Sequence, residues 1–361
     1  MKPSRNPSRF LKSLGWCLTA VLGAVVMTGC GGDGDGNADG AGSSSDGSGS
    51  KKDGKVARFA YVTNGVDPFW NIAEAGAMQA SKDLGVDVTV LMPANGAPEQ
   101  QNMLEDLVTR GITGIAVSPI DAANQINLLN SIAERATLIT HDSDAPDANR
   151  EVFIGVDNYV AGRMCGRLVK EALPNGGKIM ILVGRMEQDN SRLRRQGVID
   201  ELLDRSDDST RYDPPGEVLK GDRFTILGTL TDNFDRTRAK ANAEDTLSRY
   251  PDVDGMVGLF AYNPPMILEA LSGAGKLKLV QVIGFDEADA TLQGIIDGNV
   301  FGTVVQNPYM YGYKSVEVLK QLAAGDRSEI PENEFILVPA RQIRKENVEG
   351  FWADLKEKRG E

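Results

Sequence analysis

The chain is 361 residues long, 41% hydrophobic and 25% charged, with a formal charge of −12, three cysteines and one histidine. The excess of acid, with no basic stripe to meet phosphates, excludes nucleic acid as a partner. One histidine leaves none to spare for a histidine metal cluster or a conventional triad, and roughly 300 residues beyond the N-terminal region supply two domains more naturally than one.

In chain order, the first segment reads as an export signal. Lys2, Arg5, Arg9 and Lys12 precede an apolar run from Leu14 to Met27, too short for a comfortable membrane span and followed by small residues. The run ends Met27-Thr28-Gly29-Cys30, which resembles the lipobox of bacterial lipoproteins, although that motif usually has Leu, Val or Ile where Met27 stands. The resemblance implies that residues 1–29 leave as a signal peptide and that Cys30 is lipidated and becomes the new N-terminus. Residues 30–55 follow as a tether of almost only Gly, Ser, Asp, Ala and Lys. Such a stretch is a flexible coil, and its glycines mark no dinucleotide loop because no strand precedes them. The body is therefore expected in the periplasm or cell envelope, held near a membrane by a lipid anchor. Cys17 leaves with the signal and Cys30 is taken by lipid, so Cys165 stands alone and no internal disulfide forms.

From Arg58 onward, short β-rich runs alternate with amphipathic stretches. FAYVT, VDVTVLM, GIAVS and TLITHD read as buried parallel strands, being nearly continuous in apolar character. Between them, APEQQNMLEDLVTR places Met103, Leu104, Leu107 and Val108 on one helical face. A second series follows, KIMILVG, FTILGTL, DGMVGLF, LVQVIGF and FGTVVQ, again separated by helical patterns. This alternation predicts an α/β fold of right-handed βαβ units in doubly wound parallel sheets. A short internal echo points to two similar halves: Glu105-Asp106 and Arg110 precede Gly114, and Glu244-Asp245 and Arg249 precede Gly255. The segment from Arg205 to Gly221 reads as a long polar surface connection, and FWADLKEKRGE as a final amphipathic helix.

Polar and aromatic residues gather at strand ends. Thr63, Asp67, Phe69 and Trp70 follow the first strand, with Ser118 and then Asp142 and Ser143 after later ones; Arg194, Phe234, Asn263, Asp286 and Gln306 recur through the second half. Ligands of open parallel sheets bind outside the carboxyl ends of the strands. The set is rich in hydrogen-bonding groups and rings and poor in catalytic ones. His141 beside Asp142 reads as a polar pocket residue rather than a base. Ser272-Gly-Ala-Gly-Lys276 lacks the first glycine of a phosphate loop and has Leu277 in place of its Ser or Thr, so it reads as a helix end. Cys165 falls in a helical pattern and reads as packing. No enzyme activity and no cofactor is expected. Carboxylates take paired hydroxyls, an arginine fork donates to others, and rings cover C–H faces, which suits a polyol. Asp67, Asp142 and Asp286 outnumber Arg194, which points to a neutral one. Competing local readings stand beside these. Asp67 is also placed to cap a helix that starts at Pro68, Phe69 to join a core, Asp286 to cap the next helix, and Arg192 or Arg195 to replace Arg194.

The stretches Val62-Thr-x-x-x-Asp-Pro-Phe-Trp70, Gly114-Ile-Ala-Val-Ser-Pro119, Leu138-Ile-Thr-His-Asp142, Arg192-x-Arg194-x-x-Gly197, Asn233-Phe-Asp-Arg236, Phe260-Ala-Tyr-Asn263, Val282-Ile-Gly-Phe-Asp286 and Gly302-Thr-Val-Val-Gln306 together resemble the type I periplasmic solute-binding proteins of the ribose and galactose group. The resemblance covers residues 55 to 344. It implies two Rossmann-like lobes joined by a three-segment hinge, the first of residues 56–156 and 307–336, the second of 157–306 and 337–361. It implies a substrate-binding lipoprotein of an ABC importer, taking a neutral monosaccharide (pentose, hexose or deoxy sugar) and handing it to a membrane permease. It also implies that the strand-end residues above are the ligand contacts, with Trp70 and Phe234 as the ring sandwich. Ribose-type members carry Asn at position 67 and Arg at position 143, where this chain has Asp67 and Ser143. A sensor presenting its closed form to a membrane receptor, and a secreted sugar-acting enzyme, are the alternatives. A DNA-binding repressor of the same fold is excluded by the signal and coil at its N-terminus.

Overall fold

The computed structural model describes residues 57–359 and Glu361. The signal peptide, Cys30 and the tether expected before residue 56 lie outside the described residues.

The first series forms β1 (Arg58–Val62), α1 (Pro68–Leu84), β2 (Asp87–Leu91), α2 (Ala97–Thr109), β3 (Gly114–Val117), α3 (Ala122–Ala133), β4 (Thr137–His141) and β5 (Phe153–Gly155). The second forms α4 (Asn158–Ala172), β6 (Gly177–Val183), α5 (Asp189–Leu202), β7 (Leu219–Lys220), β8 (Phe224–Thr231), α6 (Arg236–Arg249), β9 (Gly255–Gly258), α7 (Asn263–Gly273), β10 (Gln281–Phe285), α8 (Asp289–Asp297) and β11 (Gly302–Val305). The chain closes with α9 (Pro308–Ala323), β12 (Phe335–Leu337), β13 (Arg341–Ile343) and α10 (Val348–Arg359). Among the described residues the strands make two sheets, ordered β12-β5-β4-β3-β1-β2 and β13-β11-β10-β9-β6-β8-β7.

Within each sheet the central order is the same doubly wound one: β2-β1-β3-β4 in the first, β8-β6-β9-β10 in the second, all parallel. The internal echo falls on matching elements, since α2 leads into β3 and α6 leads into β9. Central strands carry helices on both faces, which is why they are apolar along their whole length; β3 and β9 are buried at every position. The chain passes between the sheets three times, after β5, after β11 and after β12.

β5, β7, β12 and β13 have no counterpart among the strands expected from the sequence. These are two or three residues long and too short to show a period. The Arg205–Gly221 connection also differs from a simple surface excursion. Arg205 and Arg211 turn inward onto the fully buried Asp200 at 3.4 and 2.6 Å, and Arg205 also holds Asp213 at 2.7 Å. Ser272 and Gly273 do end α7, and Cys165 is sealed inside α4 with its thiol pKa pushed up by burial.

Close helix packing seats the second lobe's key residue. A Cβ added to Gly162 would lie 2.1 Å from the Arg194 carbonyl oxygen, and one on Gly197 would lie 2.2 Å from that of Tyr159. Only hydrogen side chains at both positions let α4 and α5 approach so closely. That contact fixes the backbone from which Arg194 projects.

Candidate functional site

Asp142 and Asp286 occupy matching places, immediately after β4 and β10, and both adopt left-handed backbone, φ 57° and 65°. Asp tolerates this conformation better than most residues. The turn ends each strand and exposes a carboxylate at its carboxyl edge. Arg194 reaches between them from α5, with Nη2 3.5 Å from Asp142 Oδ1 and Nη1 3.9 Å from Asp286 Oδ2. Its Nε donates to Asn158 Oδ1 at 2.8 Å, and the guanidinium lies 4.1 Å from the centre of the Phe285 ring. Arg194 is 1% exposed.

The two acids are held by different partners. Asp142 Oδ2 accepts from Ser118 Oγ (3.3 Å), Asn64 Nδ2 (3.3 Å) and Asn190 Nδ2 (3.1 Å). Donors therefore come from both lobes, since Asn190 and Arg194 belong to α5. Asp286 Oδ1 accepts from Gln306 Nε2 at 2.8 Å, and Gln306 Oε1 in turn accepts from Tyr311. Burial raises the pKa of both acids against the opposing pull of Arg194; for Asp286 the outcome is about 7. Burial penalises the charged form more than a single shared cation can offset.

Above this floor lies a cavity of about 260 Å³, lined by Trp70, Phe69, Phe234, Phe260 and Tyr262 together with Asp67, Asp142, Arg194, Asp286 and Gln306. Phe234 follows β8 with φ 65°, an uncommon backbone for a bulky residue. Asp232 holds this turn by accepting from the Phe234 amide at 2.8 Å, and also from Tyr262 and Asn263. Gly184 makes room for the ring, since a Cβ there would meet Phe234 Cε1 at 2.6 Å. Trp70 packs at right angles to Phe69, and Phe234 to Phe260, so each lobe brings its own aromatic pair. At the outer rim Asp67 does two jobs. Its Oδ1 caps α1 by accepting from the Phe69 amide (3.1 Å), and its Oδ2 accepts from Arg236 of the opposite lobe at 2.9 Å.

Eight of the twelve sequence-predicted contacts line this cavity: Asp67, Phe69, Trp70, Asp142, Arg194, Phe234, Asp286 and Gln306. Thr63, Ser118, Ser143 and Asn263 are fully sealed and stand behind its wall. Thr63 Oγ1 donates to the Gly65 carbonyl, Ser118 to Asp142, and Asn263 Nδ2 to Asp232. Neighbouring arginines sort cleanly: Arg192 pairs with Asp189, and Arg195 donates to Thr229 Oγ1 and the Asp213 carbonyl, leaving Arg194 for the cleft. Asp286 caps no helix, because the cap of α8 is Ala288. His141 lies under the wall rather than on it. Its ring stacks on Tyr61 at 4.0 Å, Nδ1 lies 3.0 Å from the Tyr61 hydroxyl, and burial lowers its pKa to about 3.

Sequence reasoning missed Asn64, Arg185, Asn233, Arg236, Phe260 and Tyr262, all of which line the cavity. Their signal was present, since each sits within a few residues of a strand end. The charge count changes with them: three arginines now face three aspartates, so a majority of carboxylates no longer supports a neutral ligand. The balance is even instead: Arg236 pairs with Asp67, Arg194 is shared by Asp142 and Asp286, and the third cation, Arg185, has no carboxylate partner among the described residues.

A ring-walled cleft between two doubly wound lobes, floored by a buried arginine between two acids, defines a ligand-binding protein of the two-lobed α/β class. The chain belongs to the periplasmic binding protein domain family, whose model matches residues 59–327. It is 26% identical over 267 residues to the ribose import binding protein RbsB of Salmonella typhimurium, covering 72% of this chain and 82% of that one. It is 22% identical over 267 residues to the D-allose-binding periplasmic protein of Escherichia coli, covering 70% and 80%. Among solved structures, GanP, a glucose-galactose binding protein from Geobacillus stearothermophilus, superposes with a TM-score of 0.73 at 25% identity, covering 81% of this chain and 99% of that one.

Proposed function

We propose that the protein captures a neutral monosaccharide of pentose or hexose size between its lobes and delivers it to the permease of an ABC importer, without chemistry. The observation that carries this reading is the floor of the cleft, where Arg194 lies sealed between Asp142 and Asp286 beneath rings from both lobes. Carboxylates and a guanidinium at one end offer acceptors and donors to adjacent hydroxyls. Trp70 and Phe234 offer flat apolar faces to a sugar ring. Bonds to charged groups contribute about 1.5–3 kcal/mol each, so a few suffice for micromolar affinity after ordering costs.

The lobes in this reading are residues 56–156 with 307–336, and 157–306 with 337–361. Hinge closure around a ligand is a motion for which periplasmic binding proteins serve as a standard example. A ligand bonded to both lobes stabilises the closed state by its differential affinity for it, and a permease that engages this state registers occupancy. The body works in the periplasm or cell envelope, anchored through lipid on Cys30. The lipobox-like Met27–Cys30 and the Gly/Ser/Asp tether support that placement.

Calorimetric titration of the mature body with a panel of pentoses, hexoses and deoxy sugars tests the ligand class. At least one sugar is expected to bind, and Asp286→Asn to weaken it about 10- to 150-fold. Binding that survives Asp286→Asn and Arg194→Met unchanged would move the site elsewhere. Mass spectrometry of the N-terminal peptide, with Cys30→Ala as control, tests the anchor.

A further inference from the structure

The polar groups of the cleft fall into two sets. Those at the floor are already engaged: Asp142, Asp286, Arg194 and Gln306 are each 3% exposed or less and bonded to protein partners. At the rim, Asp67 and Arg236 hold each other. Arg185 and Asn233 differ. Both line the cavity from the second lobe, after β6 and β8, on its more exposed side. Among the described residues, neither the Arg185 guanidinium nor the Asn233 carboxamide has a hydrogen-bonding or ion-pair partner in the protein. The guanidinium lies 5.2 Å from the centre of the Phe234 ring. It also spans the cleft, so that a Cβ on Gly96 of the first lobe would be 3.7 Å from both Nη1 and Nη2. An arginine fork carries five donors and Asn adds two donors and an acceptor. This capacity sits among the more exposed lining residues, whereas Asp142 and Asp286 are sealed at the floor.

We propose that Arg185 and Asn233 read an exocyclic hydroxymethyl group, so that the preferred ligand is a hexopyranose rather than a pentopyranose. A pyranose whose hydroxyl-bearing edge meets the acidic floor turns its ring oxygen and C5 toward the rim. In a pentopyranose that edge offers one acceptor, the ring oxygen. In a hexopyranose it also offers a hydroxyl that both donates and accepts, which matches the acceptor of Asn233 and the forked donors of Arg185. The carbon of the same group packs against Phe234. A site that hydrogen-bonds a hydroxyl discriminates against the analogue lacking it, because its own polar groups are left without partners.

The proposal rests on the reading of the cleft as a sugar site, and its test separates the two. Sugars that differ only in the hydroxymethyl group are titrated in pairs: D-glucose against D-xylose, D-galactose against L-arabinose, and D-allose against D-ribose. They are titrated into the wild-type body and into Arg185→Gln and Asn233→Ala. Neither side chain bonds to the rest of the protein, so both variants are expected to fold with unchanged circular dichroism, although Asn233→Ala should lower the urea midpoint because Asn233 has left-handed backbone, φ 57°. In the favoured pair the hexose is expected to bind about tenfold tighter or more. That ratio is expected to collapse toward unity in Arg185→Gln, with most of the affinity loss falling on the hexose. Equal or tighter pentose binding, or a variant that weakens both members of a pair alike, overturns the assignment and leaves the sugar site standing. Failure of every sugar to bind wild type overturns the sugar reading itself.

Discussion

Replacing Arg194 with methionine removes the one cation shared by two sealed acids while keeping most of the apolar stem. The guanidinium stands 3.5 Å from Asp142 and 3.9 Å from Asp286, with side-chain exposures of 1%, 4% and 5% for the three groups. Breaking a buried ion pair from one side costs about 3–5 kcal/mol, because a charge is left without compensation. Protonation relieves part of that loss. Asp286 already titrates at about 7 in the folded protein, and removing Arg194 pushes it and Asp142 higher. A raised carboxyl means that the folded protein holds a proton which the unfolded chain releases near pH 4. Stability therefore falls as pH rises from that value through the folded pKa. The deficit of Arg194→Met is expected to be nearly full at pH 8 and clearly smaller at pH 5.5. Adding Asp286→Asn should recover at least about 1 kcal/mol at pH 8 and little at pH 5.5. Urea unfolding followed by circular dichroism at the two pH values reads this directly. An equal deficit at both, with no recovery from Asp286→Asn, would refute the electrostatic account of the floor.

Asp67→Asn breaks the rim pair with Arg236, whose side chain is 53% exposed; the affinity loss should stay within about fivefold and shrink further in high salt, as calorimetry at two ionic strengths would show. Gly312→Ala places a Cβ 1.9 Å from the Ala73 carbonyl oxygen, so α9 must move off α1, with about 1–3 kcal/mol lost in urea unfolding; an unchanged midpoint would mean that the helices are not so closely packed. Cys165 is fully buried with its thiol pKa raised, so a thiol reagent such as DTNB is expected to label the native body only at the rate of unfolding; rapid labelling in buffer would place the residue elsewhere.

The amino-acid sequence by itself determined the architecture and the neighbourhood of the site. Strands covered on both faces must be apolar throughout, so FAYVT, KIMILVG and their counterparts stand out locally. Residues such as Asp142 and Asp286, next after their strands, lie at the carboxyl edge whatever else the chain does. Tertiary structure alone decided which strand-end side chains face the cleft. Ser118 and Asn263 sit behind the wall on Asp142 and Asp232, whereas Arg185, Arg236 and Phe260 face inward. Those outcomes depend on partners 24 to 169 residues away, brought together by neighbouring strands of one sheet for Ser118 with Asp142 and by the meeting of the two sheets for Arg236 with Asp67. Periodicity is a property of neighbours in the chain, but the pairing of charges across a cleft is a property of neighbours in space.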